Sequence, residues 1–369
     1  MNKTKITLLF LLLILGHLAL PTTSSAQKRA FDSLEVMNIM QKTADWQLKH
    51  EREHLKTDWH YGAFYTGIWA LYETTGQEKY LQHLLGLGEE HRWRLLDDIF
   101  HADRLTIAQV FLDLSIEQKE ERIRVPTLWV LDAHVGRKTS PDVTFKDNPY
   151  RFEWWTWCDA LYMAPPAFAR AYTATGDINY LDYMNTYWWV VSDYMYDPAE
   201  SLYYRDDRFF DRKTKNGKKV FWSRGNGWVM GGLVRVLQHL PPGYPHRDKF
   251  LQQYREMAEK IVSIQGKDGL WRSSLLDAEE FPIGESSGSA FFCYALSWGL
   301  NQGILTGKKY QKTVVKAWQA LVKNVNEEGR LGYVQQVGDS PKAISEDDWQ
   351  VYGTGAFLLA GSEIIKLKK

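Results

Sequence analysis

The chain has 369 residues, and 45 Lys and Arg balance 45 Asp and Glu, so its formal charge at pH 7 is zero. No basic stripe stands out, which argues against a nucleic-acid partner, and two cysteines are too few for a disulfide framework. With 16 Trp, 20 Tyr and 16 Phe, the core or a cleft must be rich in aromatic rings.

The first residues read as an export signal. Lys3 and Lys5 precede an apolar run over 6–20, and Ser24-Ser25-Ala26 offers a small-residue cleavage site before Gln27. The run falls short of the about twenty apolar residues that a membrane span needs, and no cysteine follows it to carry a lipid. A secreted or periplasmic protein is expected, with one domain over 27–369, since no linker-like change of composition interrupts that stretch. Cys158 and Cys293 each lie in an apolar helical run and are expected as buried free thiols.

Helical periodicity recurs along the chain and strand alternation is scarce. A loose unit repeats: a small-residue apolar helix ends in Thr-Gly and a second helix opens near a tyrosine. It occurs at Thr75-Gly76 with Tyr80, at Thr175-Gly176 with Tyr180 and at Thr306-Gly307 with Tyr310. Glycine just past a helix is a C-terminal stop, and the short joint folds two helices antiparallel. Gly243, after Pro241-Pro242, marks a fourth joint. Helices are predicted near 32–55, 61–75, 77–96, 103–121, 123–135, 157–175, 177–196, 225–240, 246–265, 286–305, 308–325 and 350–366. Twelve helices in six hairpins predict an all-α (α/α)6 barrel, although an open α-solenoid shares the pattern. The exception is 202–222, where two extended aromatic runs flank Asn216-Gly217, a hairpin-turn signal. Its basic charge fits a solvated surface or a rim that attracts an acidic sugar.

Two patterns resemble catalytic motifs. His50-Glu51-Arg52-Glu53-His54 fits the H-E-x-x-H of zinc peptidases, but its surroundings are those of a charged, exposed helix end and no third ligand is apparent. Gly284-Glu285-Ser286-Ser287-Gly288 fits a nucleophile elbow, but that motif needs a later histidine and none follows His246.

The stretch Phe152–Pro166 carries the chemistry. Trp154, Trp155 and Trp157 precede a single carboxylate, Asp159, and a small-residue helix leads away. Aromatic rings stack on sugar faces, and apolar surroundings raise a carboxyl's pKa until it holds a proton near neutrality. The plainer reading is that Asp159 caps the helix. Asp103 in Phe100-His101-Ala102-Asp103 offers a second acid at a helix start, with the same alternative. In Trp222-Ser223-Arg224-Gly225-Asn226-Gly227-Trp228, Arg224 offers a guanidinium fork for a carboxylate and Trp228 a stacking face. A structural arginine ion pair is the alternative.

Together, Trp157-Cys158-Asp159-Ala160-Leu161-Tyr162-Met163-Ala164-Pro165, Arg224-Gly225-Asn226-Gly227-Trp228, Glu285–Phe291 and Gly353–Ala360 resemble the unsaturated rhamnogalacturonyl hydrolases of glycoside hydrolase family 105. These are related to the unsaturated glucuronyl hydrolases of family 88. Trp59-His60-Tyr61-Gly62 is similar to the family's first inner-helix entry. The resemblance implies an (α/α)6 barrel acting on an acidic oligosaccharide with a Δ4,5-unsaturated uronic acid at its non-reducing end, the product of a polysaccharide lyase. It implies that Asp159 is the general acid and base and that Asp103 is the second acid. Trp157, Met163, Arg224, Trp228 and Tyr61 would contact substrate, and no metal or organic cofactor is implied. The chain departs from the family at Arg205, where a histidine is frequent, and at Asp147-Asn148-Pro149-Tyr150, where a Gly-Gly-Phe-Trp-His-Lys stretch is usual. Both positions tend to face substrate, so Arg205 is a further substrate-binding candidate and the identity of the glycan stays open. Two other readings also remain: an inverting glycosidase using Asp103 and Asp159 on saturated glycosides, and a glycan-binding barrel without turnover.

Overall fold

The structure, a computed structural model, describes residues 30–368; the expected signal peptide, 1–26, lies outside them. The described residues form thirteen α-helices. Six segments, α1 (Ser33–Lys49), α3 (Glu78–Glu90), α5 (Glu121–Val135), α8 (Ile178–Met195), α10 (Arg247–Ser263) and α12 (Lys308–Lys323), bury one face and expose the other. Five are buried nearly all round: α2 (Trp59–Thr75), α4 (Thr106–Gln118), α9 (Ser223–Leu237), α11 (Ser286–Asn301) and α13 (Val351–Ile364). The sixth inner position is shared by α6 (Ala160–Met163) and α7 (Pro165–Thr175).

The inner helices close a ring. α2 packs on α4, α4 on α7, α7 and α6 on α9, α9 on α11, α11 on α13 and α13 back on α2. Each outer helix packs on at least one inner helix next to it in sequence, and the closed inner ring makes an (α/α)6 barrel rather than an open solenoid. Closure between the last and first inner helices depends on two glycines. A Cβ on Gly355 would fall 2.3 Å from the Ala63 carbonyl oxygen, and one on Gly67 would fall 2.5 Å from that of Gly355. Only residues without a side chain let the two backbones approach so closely.

The predicted joints hold at Gly76 and Gly176, whose φ of 64° and 77° end α2 and α7. Several boundaries differ from the periodicity. α1 stops at Lys49 and α3 at Glu90, because the chain leaves helical geometry at His50 and takes positive φ at Arg92 and Trp93. The helix expected over 157–175 breaks at Ala164, since Pro165 and Pro166 supply no N–H to the turn before them. The expected hairpin over 202–222 does not pair its two runs. Instead β2 (Leu202–Tyr203) pairs with β1 (Tyr196–Asp197), and Asn216-Gly217 closes a short turn with one bridge, Lys213 to Lys219. The second short ribbon is β3 (Trp271–Arg272) with β4 (Gly284–Glu285). Cys158 and Cys293 are buried free thiols. Among the described residues no helix is long and apolar enough to cross a membrane.

All inner helices run the same way. Their N-terminal residues, including Trp59, Asp159 and Arg224, meet at one mouth. Their C-terminal residues surround a cavity of about 630 Å³ at the other. Parallel helices concentrate positive partial charge at the first mouth and negative at the second. At the second mouth Arg170 donates to Asp113 at 2.8 Å and Arg235 to Gln109 at 2.6 Å, placing buried cations against the carbonyl ends.

Candidate active site

The mouth of helix N-termini holds a cavity of about 270 Å³ lined by Trp59, Asp103, Trp157, Asp159, Met163, Arg205, Trp222, Arg224 and the loop Val337-Gly338-Asp339. The cavity at the opposite mouth is larger; there Asp113 is paired with Arg170 and Glu363 with Asn301 and Lys366, while burial raises the Glu73 carboxyl to about 6. The smaller cavity sets two carboxyls at helix starts, Asp103 and Asp159, beside a wall of three tryptophans, which is the combination that sugar chemistry needs.

Asp159 stands at the cap position of α6, yet its side chain makes no capping hydrogen bond. It is 8% exposed, and its nearest polar neighbours are Arg205 Nε at 3.6 Å and the Cys158 thiol at 3.5 Å. Burial raises its pKa above the ordinary aspartate value, against the pull of Arg205 and Arg224. Asp103 sits in a 3₁₀ turn, Ala102–Leu105, capped instead by His101, whose Nδ1 accepts from Asp103 N–H at 3.2 Å. That acceptor role needs a neutral ring, and burial holds the His101 pKa down to about 4. With its capping duty taken over, the Asp103 carboxyl is pushed up to about 8 by burial, then by the like charges of Asp58 and Asp159. The site therefore carries one carboxyl, Asp103, that holds its proton near neutrality, beside a second, Asp159, whose pKa burial also raises, the direction that general-acid catalysis requires.

The walls divide the aromatic stretch. Trp157 faces the cavity with its edge toward His101, while Trp154 stacks on Tyr187 and Trp155 packs among Phe168, Tyr183 and Tyr187 outside it. Met163 also lines the cavity, and Thr106 donates to its sulfur at 3.1 Å. Arg205 arrives from the chain after β2, held by the 2.8 Å bond from Cys158 N–H to its carbonyl and by Asp206 at 2.6 Å.

Two expected contacts, Tyr61 and Trp228, fall elsewhere, and a third, Arg224, is already engaged. Tyr61 is 3% exposed and its hydroxyl bonds the backbone of Arg52; two helical residues rotate it about 200° from Trp59, which takes the cavity position. Trp228 lies one turn below Arg224, about 6 Å deeper along α9, and is 1% exposed among Tyr162, Phe291 and Tyr352. Arg224 lines the cavity, but its fork is not open to a ligand. Nη1 donates to the Gln335 carbonyl at 2.6 Å and Nη2 to the Gln336 carbonyl at 3.0 Å, anchoring the Val337–Asp339 loop.

Trp222 and that loop escaped the sequence reading. Trp222 adjoins the Arg-Gly-Asn-Gly-Trp motif and was within reach; the loop carries no periodic or compositional signal. The two motif look-alikes are structural. Glu285 caps α11 through Ser287 and Gly288 N–H, and Ser286 donates to the Gly332 carbonyl. His50 and His54 lie beyond the end of α1, so they do not share a helix face.

Comparison with known proteins places this geometry. A family model described as Glycosyl Hydrolase Family 88 matches residues 33–368. An unsaturated 3S-rhamnoglycuronyl hydrolase from Formosa agariphila is 38% identical over 100% of both chains. A solved structure described as a polysaccharide lyase is 31% identical, with a TM-score of 0.81, covering 90% of this chain and 97% of its own. The fold is also that of a possible family 105 member from Salmonella enterica, with a TM-score of 0.75 at 16% identity over 92% of this chain and 95% of the other. The family match spans the inner ring, both carboxyls and the mouth loops, and the chain belongs to glycosyl hydrolase family 88.

Proposed function

We propose that this enzyme releases Δ4,5-unsaturated uronic acid from the non-reducing end of lyase-generated oligosaccharides by hydrating the C4=C5 bond, with rhamnose as the leaving sugar. The observation that carries the reading is Asp159, a buried, uncapped carboxyl with raised pKa in an aromatic cavity at the positive ends of six helices. An acidic sugar is favoured at such a mouth. The name of the Formosa agariphila relative supports the rhamnosyl uronide as substrate class.

The substrate's terminal ring is a vinyl ether conjugated to a carboxylate. The carboxyl proton of Asp159 goes to C4, the π electrons form the new C4–H bond, and the ring oxygen stabilises the cation left at C5. Water then bonds to C5 and returns a proton to Asp159. The resulting hemiketal opens to a C5 ketone, which leaves C1 a hemiacetal; that centre collapses to an aldehyde and releases the remaining glycan as an alcohol. Asp103, which holds its own proton below about pH 8, offers its carboxyl to sugar hydroxyls beside Asp159. Trp157, Trp59 and Trp222 line the cavity around the sugar.

Ultraviolet absorbance tests this directly, because hydration destroys the conjugated chromophore. The wild type should bleach lyase-generated oligosaccharides, and Asp159→Asn should slow bleaching at least about 10²-fold, the usual worth of a general acid. Unchanged absorbance across several acidic glycans would reject the reading. A polysaccharide lyase, the activity described for one solved relative, would instead create the chromophore from intact polymer, so the sign of the change separates the two. Export, the remaining part of the proposal, rests on Lys3, Lys5, the apolar run and Ser24-Ser25-Ala26.

A further inference from the structure

We infer that Arg205 is the receptor for the C6 carboxylate of the unsaturated uronate, a specificity contact that places C4 against Asp159. This rests on the hydration reading above and adds the group that orients the ring.

Arg205 Nε is buried and has no hydrogen-bond partner among the described residues. The rest of the guanidinium is fixed: Nη1 donates to Asp206 at 2.6 Å, and the group lies 4.9 Å from the centroid of Phe145. Asp206 is fully buried and also accepts from Arg208 through its backbone N–H, Nε and Nη2. A preorganised donor is therefore held beside the acid at 3.6 Å. In the substrate, C4 and the carboxylate carbon are both bonded to C5. An acid that reaches C4 and a donor that reaches the carboxylate must then stand side by side, as Asp159 and Arg205 do.

The other cavity arginine is less suited. Its Nε is also buried and unpartnered among the described residues, but Arg224 is 1% exposed and both its Nη atoms are bonded to loop carbonyls. Arg208 directs Nε and Nη2 to Asp206, and Nη2 also to Asp339. Occupancy has a consequence for the acid. In the empty site the Arg205 charge opposes the effect of burial on Asp159. A carboxylate on Arg205 compensates that charge, so Asp159 holds its proton more firmly once substrate is bound.

The test uses a Δ4,5-uronyl oligosaccharide and its C6 methyl ester, which keeps the chromophore but loses the charge, with wild type, Arg205→Gln and Arg205→Lys. Arg205→Gln should lower kcat/KM for the acid by about 10- to 100-fold, chiefly through KM, the range of a charge-assisted contact. The loss should be clearly smaller on the ester, which has no carboxylate for Arg205 to hold, and Arg205→Lys should recover part of the loss on the acid only. Equal losses on acid and ester would overturn the inference, because Arg205 would then act through Asp159 or the fold. Asp206 keeps Arg208 as partner in both variants, so the site should fold. Calorimetric binding of acid and ester to Asp159→Asn, with and without Arg205→Gln, reads the same contact without turnover. Failure of hydration and failure of the carboxylate contact are thereby told apart.

Discussion

Replacing Arg224 with methionine tests whether that residue serves the loop or the ligand. The guanidinium donates to the Gln335 and Gln336 carbonyls at 2.6 and 3.0 Å and lies 4.5 Å from the Trp222 ring and 4.8 Å from that of Tyr352. Two hydrogen bonds from a charged donor are worth about 1.5–3 kcal/mol each. Methionine also removes the cost of burying the guanidinium, and Gln335 O keeps the Tyr352 hydroxyl at 2.7 Å, so the net loss should sit near the low end, about 3 kcal/mol. The structure describes 339 residues, and an unfolding entropy of about 2.1 cal/mol/K per residue makes that a fall in Tm of about 4 °C. The loop Val337–Asp339 walls the cavity, so kcat/KM should fall for the unsaturated acid and its methyl ester alike. Differential scanning calorimetry and the bleaching assay measure the two effects. A Tm within about 1 °C of wild type, together with a loss confined to the acid substrate, would show that the fork reads the uronate and that the loop-anchor argument is wrong.

The raised pKa of Asp103 has a pH signature. Its folded value, about 8, lies above the unfolded one, so the folded state binds the extra proton between about pH 4 and 8. Stability from this group is full below pH 4 and is lost as pH rises through 8. Asp103→Asn should therefore gain on wild type by about 2–5 °C in Tm between pH 5 and pH 8.5, and a constant difference would refute the shift. The alkaline limb of kcat/KM near pH 8 should disappear in the same variant. Mass spectrometry of the exported product should find Gln27 first; retention of residues 1–26 would reject the signal-peptide reading.

Helical periodicity and Thr-Gly joints are local properties, so the twelve-helix plan was legible before any packing was known. Boundaries were legible only where a glycine or a cap announced them. Arg92 and Trp93, in positive φ, carry no such mark. Asp159 and Asp103 could be named from their aromatic and helix-start surroundings, but not freed of their capping role. Asp103 is free because His101 caps its turn, and Asp159 because its side chain makes no capping bond, both outcomes of three-dimensional placement.

What sequence by itself determined is the class of elements, and it nominated the candidate chemistry-bearing residues, because propensity, periodicity and motif act over a few neighbours. Tertiary structure alone decided which side chains share the cavity. Antiparallel pairing with the outer helices sets the inner helices parallel, Gly67 and Gly355 let the ring close, and a helix turn of 100° per residue then sends Trp59 inward and Tyr61 away. It also brought Gln335 and Gln336, more than 100 residues away, onto Arg224, and left Arg205 with the open donor beside Asp159. Those pairings depend on long-range packing, which no local pattern encodes.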